Sequence, residues 1–564
     1  MTAADRRLAL TRGELAIFAT ASAVNLIPIW AFRYFPGQDT PNHLYAVEVL
    51  RILLDGSAPR ALAAAFAPAL ALKSNVMFHL LMLGLVRLGA SVEFAHRLIL
   101  SGYALAFPAA GLWCARAAAP RAAPLALLLL PLVWNWFVIQ GLYNYVLSLV
   151  PALIWLGIVA RDGGRLSRGS AVVLALSAIA VYLGHAGTFV ALLAVTGLRV
   201  LWPGDGSEAR AIARLLRATP LALALAPAIL LAALGIGGLV QASAVPEPTL
   251  SGWESYGVLE AAGAFFVEFA MRYHVWELAL LAPPLLALIA IPLAAAWRAR
   301  GALKVAGAGE PAPERPGPFA RWPLRAAAML TALYFALPHI FHGSDVSPRL
   351  RPLIVFCLLC FAEVRLSARA RRRVAALALA STVASVTSLS WDFSRLNQDL
   401  SDFASAIPLV REGSRLYPMV FDPRGPSILV RPLLHAWGYY GVARHVLSPF
   451  AFAWHETRFP LRYRQLPLHQ LDAALPSDGE DEPYGLVQGR LCRSVRRFAP
   501  SRDCETVRLD TESRLADLGT RYDYVLTWAA PSDFRSLLEA RRFRLLEARG
   551  QMALYEAPGS GTKL

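Results

Sequence analysis

Apolar runs of about 20 residues, the length that carries a helix across a bilayer, recur through the first 390 or so positions of this chain and then stop. They lie near 14–32, 71–88, 97–115, 122–140, 142–160, 171–185, 187–202, 219–240, 276–297, 326–342, 350–367 and 374–390. Any one of them also reads as a buried helix of a large soluble core. A dozen cannot be covered by the few polar segments between them, because 56% of the 564 residues are hydrophobic and only 17% are charged. The expected fold class is a polytopic α-helical membrane domain over 1–390, followed by a small extracytoplasmic α/β domain over 391–564. Several runs are short for a straight crossing, so some are expected to tilt, re-enter or merge with a neighbour.

Arginine and lysine set the orientation, since they concentrate on the cytoplasmic side of membrane spans. Arg6, Arg7 and Arg12 precede the first run, and Arg298, Arg300, Lys304, Arg315, Arg321 and Arg325 fill the linker after the ninth. Arg365, Arg369, Arg371, Arg372 and Arg373 crowd the link before the last run, and the links at 161–169 and 203–218 also carry arginine. The opposite side then holds 33–70, 241–275, 343–349 and everything from about 391. Twelve crossings would leave both termini on one side, whereas the arginines put them on opposite sides. The mismatch lies between residues 33 and 121, where one run fails to cross or a further crossing hides in the alanine-rich 59–72, so 11 or 13 spans are expected. The first run lacks a small-residue cleavage site and reads as a retained span. The net charge of +16 lies largely in these flanking clusters, where it sets topology and meets anionic headgroups; nucleic acid is not expected as a partner.

Beyond Trp391 polar and apolar residues alternate. RLYPMVFD and YDYVLTWA (522–529) read as strands, LLHAWGYYGVARHV as a helix, and LLEARRFRLLEARGQMALYEAP (537–558) as a short helix, a turn and a strand pair. Cys114, Cys357 and Cys360 lie in or beside apolar runs and read as small core residues. Cys492 and Cys504 flank RSVRRFAPSRD, a spacing that suits two strands joined by a loop, and outside the cytoplasm a disulfide between them would persist. Two unrelated buried thiols are the alternative.

Function is sought in polar residues at the membrane edge. The strongest cluster is RYFPGQDTPNHLYAVEVLR, 33–51. Pro36, Gly37 and Pro41 end the first span and form a turn that presents Asp39, Asn42 and His43, and Glu48 can approach the same helix face. A carboxylate there can remove a proton from a hydroxyl nucleophile or hold a divalent ion such as Mg or Mn; it can also cap the following helix. His43 reads equally as a ligand contact or as a bond within the loop. In LKSNVMFHLLM, Lys73, Ser74 and Asn75 lead into a helix carrying His79, an arrangement that suits a phosphate but also ordinary anchoring. Gln140, Tyr143 and Asn144 surround a break at Gly141, and His185 sits between glycines in YLGHAGTF. Three breaks facing one side suggest that several helix ends line one cavity. The loop at 241–275, with Glu247, Glu254, Glu260, Glu268, Arg272 and His274, suits a lid or groove wall. Arg349 and Arg351 stand on the outer side, against the topology bias, and so call for an anionic partner, either a carboxylate or a substrate phosphate.

PGQDTPNHLY after the first span, KSNVMFHLLMLGLVRLGASVEFAHRL, the many later spans and a terminal domain containing YDYVLTW together resemble the integral-membrane glycosyltransferases that use polyprenyl-phosphate sugars. These have the GT-C fold and include the protein mannosyltransferase and aminoarabinose transferase superfamily. The resemblance covers nearly the whole chain in organisation, through short motifs. It implies a multi-pass protein of a bacterial inner membrane that transfers a hexosyl or pentosyl group from a lipid-linked phosphate to an acceptor hydroxyl, with inversion. The acceptor would be a glycan, lipid or protein. Asp39 takes the role of base or acceptor-orienting residue, with Arg349 and Lys73 on the phosphate leaving group. Many members carry an adjacent acidic pair, whereas here Thr40 follows Asp39, which leaves a metal cofactor open. Two other classes remain: a flippase of lipid-linked glycans, which would show two similar halves, and a non-catalytic assembly component, which would have no need of Asp39.

Overall fold

A computed structural model of the chain describes residues 10–162, 166–201, 211–242, 253–305, 322–341, 344–361, 364–425, 427, 429–453, 459–464, 518–530 and 532–559. Among them, six helices are long and apolar enough to cross a membrane: Arg12–Trp30, Val92–Ala118, Tyr143–Asp162, Ala218–Gly235, Val275–Arg298 and Ala368–Leu409. Shorter apolar helices include Met77–Arg87, Pro120–Leu129, Arg168–Gly184, Ala186–Val200 and Val258–Val267.

Two of the expected runs, and the stretch where a further crossing could hide, are not continuous α-helices of membrane length. The run at 122–140 is a 3-10 helix, Pro120–Leu129, followed by a separate short helix, Trp136–Gln140. Pro120, Pro124 and Pro131 lack the amide hydrogens that an α-helical ladder needs. The run at 350–367 shortens to Arg351–Leu359. The alanine-rich 59–72 forms only the six-residue helix Arg60–Ala65 and the strand Phe66–Pro68, far less than a crossing requires.

The chain divides into two compact units that are not contiguous in sequence: Met1–Ala31, Leu72–Phe78 and Arg97–Ser390 form one, and Phe32–Ala71, His79–His96 and Trp391–Leu564 the other. A division at residue 390 therefore leaves out two early segments that fold with the C-terminal part.

The first unit is helical. Its Arg168–Gly184 helix packs on Tyr143–Asp162 and on Ala211–Ala242, and Trp322–Ala336 packs on Arg351–Leu359. One fully buried ion pair fixes a corner: Glu277 accepts from the backbone amides of Arg272 (2.6 Å), Tyr273 (2.8 Å) and His274 (3.1 Å) and from Arg272 Nε (3.0 Å). Arg272, from the loop expected to form a lid, thus joins Glu277 in holding the backbone before the Leu278–Val305 helix. Cys114, Cys357 and Cys360 are buried, as core residues should be.

In the second unit, strands β1 (Phe66–Pro68), β2 (Leu416–Val420), β3 (Leu461–Tyr463), β4 (Tyr524–Trp528), β5 (Arg544–Arg549) and β6 (Met552–Glu556) make two sheets. β1 pairs antiparallel with β3. The larger sheet runs β2-β4-β6-β5, with β2 and β4 parallel and the other pairs antiparallel. β2 and β4 are buried on both faces, which is why YVLTW shows no polar alternation. Tyr417, Met419, Val525, Phe534, Leu538 and Tyr555 form the core between this sheet and the Ser532–Ala540 helix. β5 is the exposed edge, and Arg544, Glu547 and Arg549 on it discourage pairing with another chain. The helix Thr40–Leu54 packs against Gly438–Arg444 in this unit.

Candidate functional site

The side chains singled out in the sequence gather into two groups, one in each unit. The first is built on the start of the Thr40–Leu54 helix. Thr40 N donates to Gly37 O (3.3 Å) and His43 N to Asp39 O (3.0 Å), so the Pro36–Gly37 turn runs directly into helix. Asp39 occupies the N-cap position, yet its side chain makes no capping hydrogen bond, and Pro41 removes one amide that a cap would serve. The carboxylate instead accepts from Gln38 Nε2 (3.3 Å) and stands 3.6 Å from His435 Nε2. The capping role is therefore not the one this side chain takes.

Asn42 is fully buried, and its amide clips the backbone opposite: Nδ2 donates to Phe450 O (2.8 Å) and Oδ1 accepts from Phe452 N (3.0 Å). His43 Nδ1 lies 3.2 Å from His79 Nε2, with the stacked rings of Phe452 and Phe459 beside them. Glu48 is drawn into a different arrangement. It accepts from Arg51 Nε (3.1 Å) and faces His445 Nε2 (2.9 Å), while His445 Nδ1 meets Glu412. Burial pushes the Glu48 carboxyl up, but the bonds from His445 and Arg51 outweigh it and hold the group below its usual range. The same bond from Glu48, opposed by burial and aided by Glu412, raises His445. Glu48 thus ties its helix to the end of Gly438–Arg444 and is not part of the set around Asp39.

The second group lies where helices of the first unit break. Gly141, at φ 96°, ends the Trp136–Gln140 helix in the left-handed region that glycine tolerates, and Tyr143–Asp162 restarts immediately. His185, extended, separates Arg168–Gly184 from Ala186–Leu201. The segment carrying Lys73 and Asn75 is pinned to both breaks: Asn144 Oδ1 accepts from Phe78 N (2.7 Å), Ser74 Oγ from Ala186 N (2.8 Å), and Leu183 O from Val76 N (3.0 Å). Asn75 itself takes φ 67°. The three interruptions seen in the sequence therefore do converge. Lys73 and Asn75 are half-buried there.

Arg349 lies in the 3-10 turn Ser347–Leu350. Its Nη1 is 2.9 Å from His185 Nε2, its Nη2 3.8 Å from Asp345, and Tyr145 lies beneath the guanidinium at 5.7 Å while donating to the Arg349 carbonyl (2.8 Å). A neutral imidazole has one lone-pair nitrogen, and two donors are aimed at His185: the Arg349 guanidinium at Nε2 and the Thr188 backbone amide at Nδ1 (3.0 Å). Arg349 Nε is buried and has no partner among the described residues. Arg351, two residues on, differs: it is buried, donates to Pro348 O (2.9 Å) and Ala264 O (2.8 Å), and lies over Phe137 and Tyr334. Arg349 keeps a donor without a partner among the described residues, whereas Arg351 braces backbone.

No group of three or more His, Cys, Asp or Glu side chains among the described residues could hold a metal ion. Cys492 and Cys504, with the disulfide expected between them, lie outside the described residues. Sequence reasoning passed over His435 and His445, which flank the Gly438–Arg444 helix; two histidines in LLHAWGYYGVARH were the available signal. It also passed over Glu412 and Tyr145.

No family model matches the chain, and no curated protein matches it by sequence. Solved structures match it by fold. The crystal structure of ArnT from Cupriavidus metallidurans in the apo state superposes with a TM-score of 0.53 at 10% identity, covering 97% of this chain and 98% of that one. ArnT from the same organism bound to undecaprenyl phosphate gives a TM-score of 0.50 at 12% identity, over 98% and 99%. At such identities the likeness speaks for architecture, and over nearly its whole length this chain has the GT-C fold of ArnT.

Proposed function

We propose that this protein is a membrane glycosyltransferase that moves a hexosyl or pentosyl group from a polyprenyl-phosphate donor to an extracytoplasmic acceptor hydroxyl, with inversion. The observation that carries the reading is Asp39: a carboxylate at a helix start that makes no capping bond, in a chain with the GT-C fold. Asp39 takes the acceptor proton as the hydroxyl oxygen attacks the anomeric carbon, and the bond to the phosphate oxygen breaks on the opposite side. Arg349, whose Nε has no partner among the described residues, stabilises the charge that develops on that phosphate, with Lys73 assisting. The binding of undecaprenyl phosphate by ArnT supports a donor of this class. We assign substrate binding to His43 and His79 in the second unit and to Asn75 and His185 in the first; Asn42 and Glu48 in the one, and Asn144 and Arg351 in the other, support these side chains through the backbone and ion-pair contacts described above.

The protein resides in a bacterial inner membrane, with 391–564 outside the cytoplasm. Eleven crossings fit better than thirteen, because 59–72 forms only a six-residue helix and a three-residue strand. The test is transfer of radiolabelled sugar from a panel of polyprenyl-phosphate sugars to a cell-envelope extract, comparing the parent with Asp39→Asn in membranes. Transfer by the parent and its loss, by about 100-fold or more, in a folded variant is the expected result. Undiminished transfer removes Asp39 from the mechanism. No transfer with any donor and a competent acceptor turns the reading toward flipping of lipid-linked glycans or non-catalytic assembly.

A further inference from the structure

We infer that His435 is a positioning residue for Asp39: an uncharged imidazole that directs its Nε2 proton at the carboxylate and is itself oriented, through Asn42, by the backbone of Phe450 and Phe452. The inference rests on the reading of Asp39 as the base. It starts from the buried amide of Asn42. Only a carbonyl oxygen can accept from Phe452 N (3.0 Å), and only an amide nitrogen can donate to Phe450 O (2.8 Å), so these two contacts fix which way the amide is turned. The second hydrogen of Asn42 Nδ2 then faces His435 Nδ1 at 3.5 Å. Nδ1 is therefore the lone-pair nitrogen, and the ring proton sits on Nε2, 3.6 Å from Asp39 Oδ1. Phe452 holds the ring edge-on, with centroids 5.1 Å apart.

The gap to Asp39 is longer than a hydrogen bond, as is common where catalytic contacts tighten only when substrate arrives. Burial, with the nearby His43 adding to it, drives His435 down to about 3, so the ring stays neutral. A neutral donor steadies the anion without cancelling its charge, and Asp39 remains a base at lower pH than it otherwise would. In the transfer step the acceptor proton goes to Asp39, and His435 keeps its own. The polar and titratable groups around this pair include Gln38 beside Asp39, Arg431, whose backbone amide donates to Gln38 Oε1 (2.9 Å), Asn42 and His43 from the Thr40–Leu54 helix, and His79 behind His43.

The test compares the parent with His435→Gln, His435→Asn and His435→Ala in the full-length protein. The Gln amide nitrogen can reach the position of Nε2, whereas the Asn nitrogen falls near Nδ1. His435→Gln should keep transfer within about threefold of the parent. His435→Asn and His435→Ala should lose about tenfold in kcat with the donor KM unchanged, and the acid limb of their kcat/KM profiles should move up by about one pH unit. A second readout needs no substrate: carbodiimide labels protonated carboxyls, so the pH midpoint for labelling Asp39, followed by peptide mass spectrometry, should move up with the same variants. The inference is overturned if His435→Ala moves neither the limb nor the labelling midpoint, or if His435→Gln loses as much as His435→Ala. A shifted labelling midpoint without transfer by any form would uphold the pairing and sink the glycosyltransferase reading instead.

Discussion

Arg349 and Arg351 stand two residues apart, and their substitution should do opposite things. In Arg349→Gln the fold has little to lose: the contact with Asp345 is loose at 3.8 Å and partly exposed, worth about 0–1 kcal/mol, and a glutamine amide can still donate to His185. What goes, if the proposed function holds, is a charged hydrogen-bond donor to the donor phosphate. Hydrogen bonds to charged groups contribute about 1.5–3 kcal/mol, which at about 1.4 kcal/mol per decade is a fall of roughly 10- to 150-fold in kcat/KM. Arg351→Gln should instead unsettle the protein. Its guanidinium is 1% exposed, serves two backbone carbonyls and lies over two aromatic rings, so its loss orphans buried acceptors at about 1–3 kcal/mol each. The assay is a thermal melt in detergent beside transfer kinetics on the same preparations. Parental kinetics in Arg349→Gln, or a melt as early as that of Arg351→Gln, would refute the distinction between an anion-directed arginine and a structural one.

Two further outcomes follow from the second unit. A Cβ built on Gly438 would lie 2.6 Å from the carbonyl carbon of Pro41, backbone that cannot swing aside; Gly438→Ala should therefore cost about 1–3 kcal/mol in a melt and depress transfer by shifting the helix start that carries Asp39, whereas a parental melt would mean the two helices can part. The Glu48–His445 contact should give a stability window in pH. His445 is raised by its bond to Glu48, so its contribution is complete below the ordinary histidine value of 6.5 and fades as pH climbs through the raised one. Glu48 is lowered, so its contribution is complete above 4.5 and fades as pH falls through the lowered value. The melting difference between the parent and His445→Gln should thus be greatest between these two pH values and shrink on either side; a flat difference would show that the ion pair does not form.

The apolar runs made the membrane helices legible because each span declares itself within about 20 consecutive residues. Prolines spoiled that reading at 120–131, where the backbone keeps its apolar character but loses the amides that make an α-helix. The grouping of 32–71 and 79–96 with the C-terminal part was not legible, since it depends on strand β1 pairing with β3 and on Gly438 admitting Pro41. Neither contact leaves a local pattern. His435 escaped for the same reason, because it meets Asn42 across 393 residues of sequence.

Reading polar residues at membrane edges could not rank its candidates, because burial of a polar group is ambiguous until its partners are known. Asn42, Glu48, Asn144 and Arg351 are all buried and polar, and each has contacts that join one backbone segment or helix to another. Breaking such a contact to bind substrate would orphan its protein partner at about 1–3 kcal/mol, so these side chains gain little by binding. Asp39 and Arg349 are different in kind. The first begins a helix without capping it, and the second keeps a buried donor with no partner among the described residues. These are the two side chains on which the proposed transfer places its chemistry, and Asp39→Asn and Arg349→Gln are the variants that test it.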